Sequence, residues 1–203
     1  MARGPLRILH LHSAFDRGGK ELRAVQLMNA FGPGLRHSIV SGQPGATGAA
    51  NALHAAIAVD FPTDFPSLSD KPWPRRLQAL ATAMQPFDLV LTYNWGAMDA
   101  VLAHTVFATH MRLPPLVHHE DGFNEDEAGG LNASRNWFRR IALGRTAGLV
   151  VPSANLEAIA LDAWQQPRSR VRRIANGIDT AAYAAAPARD ALPRIVKRDG
   201  EKW

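Results

Sequence analysis

Cysteine is absent from the 203 residues. That excludes a disulfide framework, a thiolate zinc site and a cysteine nucleophile, and it fits a reducing cytoplasm. Long apolar runs are lacking too, since no stretch approaches the roughly 18–20 residues a membrane-spanning helix needs. The opening MARGPLRILHLH has too short an apolar part, and too many histidines, for a signal peptide; it reads as a strand. Neither a GxGxxG spacing nor a P-loop occurs, which disfavours a nicotinamide dehydrogenase. What remains is 46% apolar and 20% charged, the balance of one folded domain rather than a disordered tail.

The formal net charge is +5, and arginines crowd the later chain at Arg135, Arg139, Arg140, Arg145, Arg168, Arg170, Arg172 and Arg173. A basic face suits anionic lipid or phosphorylated substrates, and a solvated surface is the plain alternative. Nucleic acid is a poor fit, because aromatic residues do not interleave with the basic ones as stacking platforms.

Short apolar runs alternate with helix-like stretches, the signature of βα units around a parallel sheet. Strands are expected at Leu6–Leu11, His37–Val40, Ile57–Phe61, Asp88–Thr92, Pro114–Val117, Gly148–Val151 and Val171–Ile174. Helices are expected over Lys20–Phe31, Arg75–Met84, Ala97–His110 and Ser134–Leu143, with a further one capped by Ser153 and running to about Trp164. Gly32-Pro33-Gly34 stops the first helix, and Ser41–Ala50 reads as a mobile loop. This is an α/β, doubly wound parallel sheet of about seven strands with helices on both faces, and its ligands belong at the carboxyl ends of the strands.

Three strand exits carry candidate chemistry. Gly18 and Gly19 sit between the first strand and its helix, where backbone N–H groups can approach an anion; a plain tight turn is the alternative. His118-His119-Glu120-Asp121 follows another strand. Period-2 alternation puts His118 and Glu120 on one face and His119 and Asp121 on the other. A single metal site therefore needs the backbone to turn, and a substrate-contacting loop fits better. Asn94, in Thr92-Tyr93-Asn94-Trp95-Gly96, is either a hydrogen-bonding residue or a helix cap.

These segments together resemble the N-terminal domain of glycosyltransferase family 4, with the GT-B fold, and particularly the bacterial sugar transferases of exopolysaccharide and capsule-type loci. The resemblance rests on ILHLHSAFDRGGKEL, LVLTYNWGAMDA, LVHHEDGFNEDEAGG and LVVPSANLEAIALDAWQQPRSRVRRIANGIDTAAY, and runs from about Leu6 to Tyr183. The closing segment, with its Ser after an apolar strand, a helix, a basic-flanked strand and NGID, is the most specific.

The resemblance implies a Rossmann-like domain over residues 1–180. It also implies a retaining, hexosyltransferase-type transfer of a sugar from a nucleotide diphosphate sugar to an acceptor hydroxyl, in polysaccharide or glycoconjugate synthesis. Gly18 and Gly19 would lie beside the donor diphosphate, with Glu21, Asn94, His119, Glu120 and Asp121 among the substrate contacts. His118 matches the active-site histidine, expected to line an open cleft, and the adjacent His119 is the rival match. Relatives often carry a second histidine where this chain has Asp121.

No resident cofactor and no metal are expected, the nucleotide sugar being a substrate. The family's pair of glutamates, separated by seven residues, is not found after Asp179. Residues 181–203 are accordingly expected to be a linker towards a second, nucleotide-sugar-binding domain, and this segment alone is expected to be inactive. The expected location is cytoplasmic, with peripheral contact at the inner membrane face. The rival readings are a metal-dependent hydrolase using the His-His-Glu-Asp cluster and a non-catalytic, phosphate-ligand-binding module.

Overall fold

The structure, a computed structural model, describes residues 4–123, 127, 131–178 and 180–184. Seven parallel strands run in the order β3-β2-β1-β4-β5-β6-β7. They are β1 (Leu6–His12), β2 (Leu35–Ser41), β3 (Ala58–Asp60), β4 (Leu89–Tyr93), β5 (Leu116–His119), β6 (Gly148–Val151) and β7 (Val171–Arg173). The helices are α1 (Gly19–Phe31), α2 (Pro74–Met84), α3 (Met98–Phe107), α4 (Ala133–Ala142) and α5 (Ala154–Asp162). This is the expected doubly wound sheet. Its order reverses between β1 and β4, where such sheets open a crevice at their carboxyl edge.

The reversal sorts the helices. Crossovers between parallel strands are right-handed, so α1, stepping from β1 to β2, lies on one face, and the helices stepping the other way lie on the opposite face. Leu9 and Leu11 of β1, fully buried, point into the larger core with Leu80 and Met84 of α2, Val101 of α3, Ala142 of α4 and Trp164 after α5. On the other face Val25 and Met28 of α1 pack against Ile39 of β2 and Tyr93 of β4. The expected segment from Ser41 to Ala50 is more ordered than a mobile loop. Residues 48–52 form a 3-10 turn, and the Ala49 N–H donates to the Phe15 carbonyl (3.0 Å) while the Phe15 N–H donates to that of Ala46 (2.9 Å). The exits of β1 and β2 are thereby tied together.

Helix ends follow local chemistry. Gly32, at φ 73°, closes α1 with its N–H on the Met28 carbonyl, a conformation that favours glycine. Ser153 caps α5 as expected, its hydroxyl accepting from the Leu156 N–H (3.2 Å). Gly96 is required by close approach, since a Cβ there would lie 2.3 Å from that of Ser13.

The smaller core holds a polar layer. His10 Nε2 lies 2.9 Å from His37 Nδ1, and His10 Nδ1 lies 3.2 Å from the Tyr93 hydroxyl. His12 stacks on Tyr93 at 4.0 Å and meets the Phe15 ring edge-on at 4.9 Å, and both its nitrogens are buried without a hydrogen-bond partner among the described residues. Burial, reinforced by neighbouring histidines, lowers His10 to a pKa of about 3 and holds His12 well below its ordinary value; burial also lowers His37. These rings fold neutral, as aromatic packing units.

Depressed histidines make stability pH-dependent. The unfolded chain binds protons below pH about 6.5 that the folded chain refuses, so stability is complete above that pH and is lost as the pH falls towards about 3. Each fully neutral histidine removes about 1.4 kcal/mol per pH unit well inside that window. Urea midpoints between pH 7 and 5 should therefore fall steeply, and His12→Phe should flatten the slope by about one proton. A midpoint that stays constant over this range would contradict the neutral layer.

Candidate active site

The turn from β1 to α1 delivers a helix N-terminus to the carboxyl edge. Gly18 is the N-cap, its carbonyl accepting the Leu22 N–H (2.9 Å), and no side chain caps the first-turn amides. Such amides lack partners within the helix and attract anions. A Cβ on Gly19 would meet nothing within 4 Å, so its surroundings are open, whereas one on Gly18 would lie 2.5 Å from Glu21 Oε2. Glu21 is buried, with Oε1 2.6 Å from Lys20 Nζ.

The exit of β5 splits between the two faces, as alternation requires. On the α1 side, His119 stacks against Tyr93 (ring centroids 5.0 Å apart). Arg23, from the second turn of α1, holds Asp121 through both guanidinium nitrogens, its Nη2 donating to Oδ2 at 2.9 Å. Arg23 Nη1 also donates to Asn176 Oδ1 (2.6 Å), and Nη2 faces His119 Nδ1 (3.4 Å). Burial and the Arg23 charge lower His119 to about 3. Arg23 donates towards Nδ1, which assigns the single ring proton to Nε2. Burial pushes the Asp121 carboxyl up, opposed by Arg23.

Asn94, at φ 52°, does not cap the turn that follows it. Its Oδ1 accepts the Asp121 N–H (2.8 Å), and its own N–H donates to the His119 carbonyl (2.8 Å). The capping alternative is thus replaced by a clamp between the ends of β4 and β5.

On the other face His118 is fully buried, which corrects its expected place lining an open cleft. Its Nδ1 lies 2.8 Å from the Thr92 hydroxyl, and its Nε2 lies 3.6 Å from Glu120 Oε2. The reason is its position: even-numbered residues of β5 point under α3 and α4, into the larger core. There Arg139 is fully buried, so the solvated-surface reading of the arginine-rich region fails at this residue. Its Nε pairs with Glu120 Oε2 (3.3 Å), and its Nη1 and Nη2 donate to the two oxygens of Glu127 at 3.1 Å each. The rings of Trp95, Phe123 and Trp164 surround the guanidinium at 4.9, 5.2 and 5.3 Å. Burial pushes Glu127 up, but the bonds from Arg139 and Arg135 outweigh it and hold the carboxyl below its ordinary range.

His118 with Glu120 and His119 with Asp121 therefore occupy opposite faces of the sheet, and among the described residues no three His, Asp or Glu side chains converge as metal ligands. Two hollows flank the pairs. A groove of about 610 Å³ runs past Arg23, His119, Val150 and Ile174. A cleft of about 500 Å³ opens between the exits of β1 and β4, lined by Ser13, Gln43, Ser69, Trp95 and Asp99. Arg23, Thr92, Glu127 and Arg139 were not singled out from sequence. The available signal was Arg139 itself, a charge on the α4 stripe that also carries Ala142, where a core-facing cation needs buried partners.

Removing that cation should be costly, because Glu120 and Glu127 would remain buried without it. Arg139→Ala is expected to destabilise the fold by about 3–5 kcal/mol, while Arg140→Ala, on the exposed side of α4, should leave the urea midpoint near the parent value. Similar midpoints for the two variants would refute the buried cluster.

Comparison with solved structures returns longer relatives at low identity. The Anabaena Alr3699/HepE structure in complex with UDP has a TM-score of 0.63 at 18% identity, with 90% of this chain and 47% of that chain covered. Its complex with UDP-glucose gives 0.60 at 16%, with the same coverage. A glycosyltransferase from Rickettsia africae ESF-5 gives 0.60 at 11%, covering 90% of this chain and 46% of that one. The chain thus spans about half the length of these neighbours, and at these identities they establish the fold. Comparison with curated protein sequences returns no match. The profile of Glycosyltransferase Family 4 matches residues 11–182, which include the glycine turn, both flanks of β5 and the exit from β7, and by that match the chain belongs to Glycosyltransferase Family 4.

Proposed function

We propose that this chain is the acceptor-side half of a retaining glycosyltransferase that moves a sugar from a nucleotide diphosphate sugar to an acceptor hydroxyl, in polysaccharide or glycoconjugate synthesis. The observation that carries the reading is the glycine turn Gly18-Gly19, open at Gly19, at an uncapped helix N-terminus whose second turn carries Arg23, which faces His119. In the transfer, the bond from the anomeric carbon to the diphosphate oxygen breaks and its electron pair leaves with the diphosphate. The acceptor oxygen forms the new bond and gives up its proton to the departing diphosphate oxygen. Negative charge grows on the leaving group, where helix amides stabilise it, and positive charge grows on the sugar. The UDP and UDP-glucose held by the Anabaena structures support a uridine diphosphate sugar as donor. A second domain, completing the nucleotide site, belongs to this reading.

Between the two histidines, geometry favours His119 as the one beside the reacting sugar. It borders the open groove and carries its proton on Nε2, free to donate, whereas His118 is sealed between Thr92 and Glu120. Gly18, Gly19 and Asp121 are the companion contacts, while Glu21, Asn94 and Glu120 serve mainly to hold the turn and the β5 exit in shape.

The test is steady-state kinetics with UDP-sugars on the chain joined to its nucleotide-binding half. His119→Ala should lower kcat by roughly a hundredfold, the usual loss for one preorganised donor, in a protein that thermal melts show to be still folded. His118→Ala should lower Tm instead, by leaving a buried void and the Thr92 hydroxyl without its partner. Gly19→Val should weaken donor binding with the fold retained, because its side chain projects into open space. Normal turnover in His119→Ala alongside lost turnover in a stably folded His118→Ala would reverse the assignment, and normal turnover in all three would overturn the site.

A further inference from the structure

The ring of His119 is held from two directions. Tyr93 stacks on its face, with ring centroids 5.0 Å apart and planes inclined at 23°. At its edge Nδ1 faces Arg23 Nη2 at 3.4 Å, and among the described residues the ring has no other hydrogen-bond partner. Arg23 is itself anchored by two further segments. Its guanidinium grips both oxygens of Asp121 on the β5 exit, and Nη1 also donates to Asn176 Oδ1 (2.6 Å) beyond β7. Both members of the ion pair are largely enclosed, with 14% of the Arg23 side chain and 13% of the Asp121 side chain exposed. A guanidinium is planar and presents its donors in a fixed fork. With three of its contacts spent on Asp121 and Asn176, the direction of the remaining one, towards His119, is set by the fold and not by the histidine.

We propose that Arg23 is the positioning residue of the candidate site, holding the His119 ring with its Nδ1 lone pair turned inward and its Nε2–H turned to the groove. The inference rests on the reading of His119 as the histidine beside the reacting sugar. A guanidinium N–H donates and never accepts, so the ring nitrogen facing it must accept. A neutral imidazole then carries its one proton on the far nitrogen. The other tautomer would set two N–H groups against each other, and a flipped ring would turn carbon towards the guanidinium. Tyr93 does not make that choice, because stacking fixes the plane of a ring and not its tautomer. The charge works in the same direction, since a cation beside the ring disfavours the imidazolium and adds to burial in keeping His119 neutral. The other titratable groups around the ring are Tyr93 of β4, His10 and His12 of β1, His118 and Asp121 at its own strand exit, and His54 across the groove. The one carboxylate among them, Asp121, is bonded to Arg23. Arg23 needs no contact with the reacting atoms for this role, and its loss is felt through the histidine.

The test pairs nitrogen-15 NMR of the 203-residue chain with kinetics on the chain joined to its nucleotide-binding half. At neutral pH the His119 ring, assigned by its loss in His119→Ala, is expected wholly in the Nε2–H form. Arg23→Met keeps the aliphatic stem and removes donor and charge. It should give a mixture of tautomers and raise the pH at which the ring protonates, still below about 6.5 because burial remains. Turnover should fall roughly tenfold or more, with a smaller change in the donor KM, and the acid limb of the kcat profile should move to higher pH. Arg23→Lys returns a cationic donor and should recover the Nε2–H form and part of the turnover, a rescue that a packing role would not give. Arg36→Gln, exposed at the start of β2, should match the parent in both readings. Thermal melts check folding; should Arg23→Met unfold, Arg23→Met combined with Asp121→Asn removes the stranded carboxylate and gives the same NMR reading. An unchanged His119 tautomer in a folded variant without Arg23 overturns the inference whatever the kinetics, and so does parental kcat once the tautomer has changed. Normal turnover in His119→Ala beside a changed tautomer in Arg23→Met sinks the reading of His119 as the reacting histidine and upholds Arg23 as the residue that sets its ring.

Discussion

Two arginines, one from each helix layer, hold the carboxylates that follow β5, and the architecture of the candidate site depends on that pairing. Alternation along the strand sends Glu120 towards α4 and Asp121 towards α1. On one side Arg139 meets Glu120 and Glu127; on the other Arg23 meets Asp121. A buried carboxylate without a cation is costly, so each helix layer is registered against the strand end by its own ion pair.

The two pairs differ in surroundings, and that difference assigns their work. Arg139 is enclosed by three aromatic rings and spends its guanidinium entirely on protein carboxylates. It is structural cement beneath the site. Arg23 is less enclosed, reaches His119 and Asn176 as well as Asp121, and stands one helical turn from the open amides at Gly18 and Gly19. An anion seated on those amides would share its field. A single guanidinium thus connects the helix N-terminus, the β5 exit and the segment leading out of β7.

The histidine layer adds a second constraint. Five aromatic rings from β1, β2, β4 and β5 stack or hydrogen-bond across the α1 face, so neutral imidazoles replace the aliphatic side chains usual in a buried parallel sheet. His119 is the end member of that stack and also the wall of the groove. Its protonation state is therefore set by the core behind it as much as by any ligand in front.

Sequence alone determined the parallel sheet, its seven strands, the Gly32 stop and the Ser153 cap, because these rest on local chemistry: period, propensity and backbone orphan groups. The split of the β5 exit was also legible, since alternation follows from strand geometry itself. Which side of the split lay open was not. His118 and His119 are adjacent and chemically alike, and only the layer stacked on each face decides that one is sealed under α4 while the other borders a groove. Arg139 reads as one more surface cation until Trp95, Phe123, Trp164 and two carboxylates from distant positions converge on it. Asn94 reads as a cap until its amide reaches Asp121 across two strands. Burial and charge pairing are sums over neighbours far apart in the chain, and those sums exist only once the sheet has brought them together.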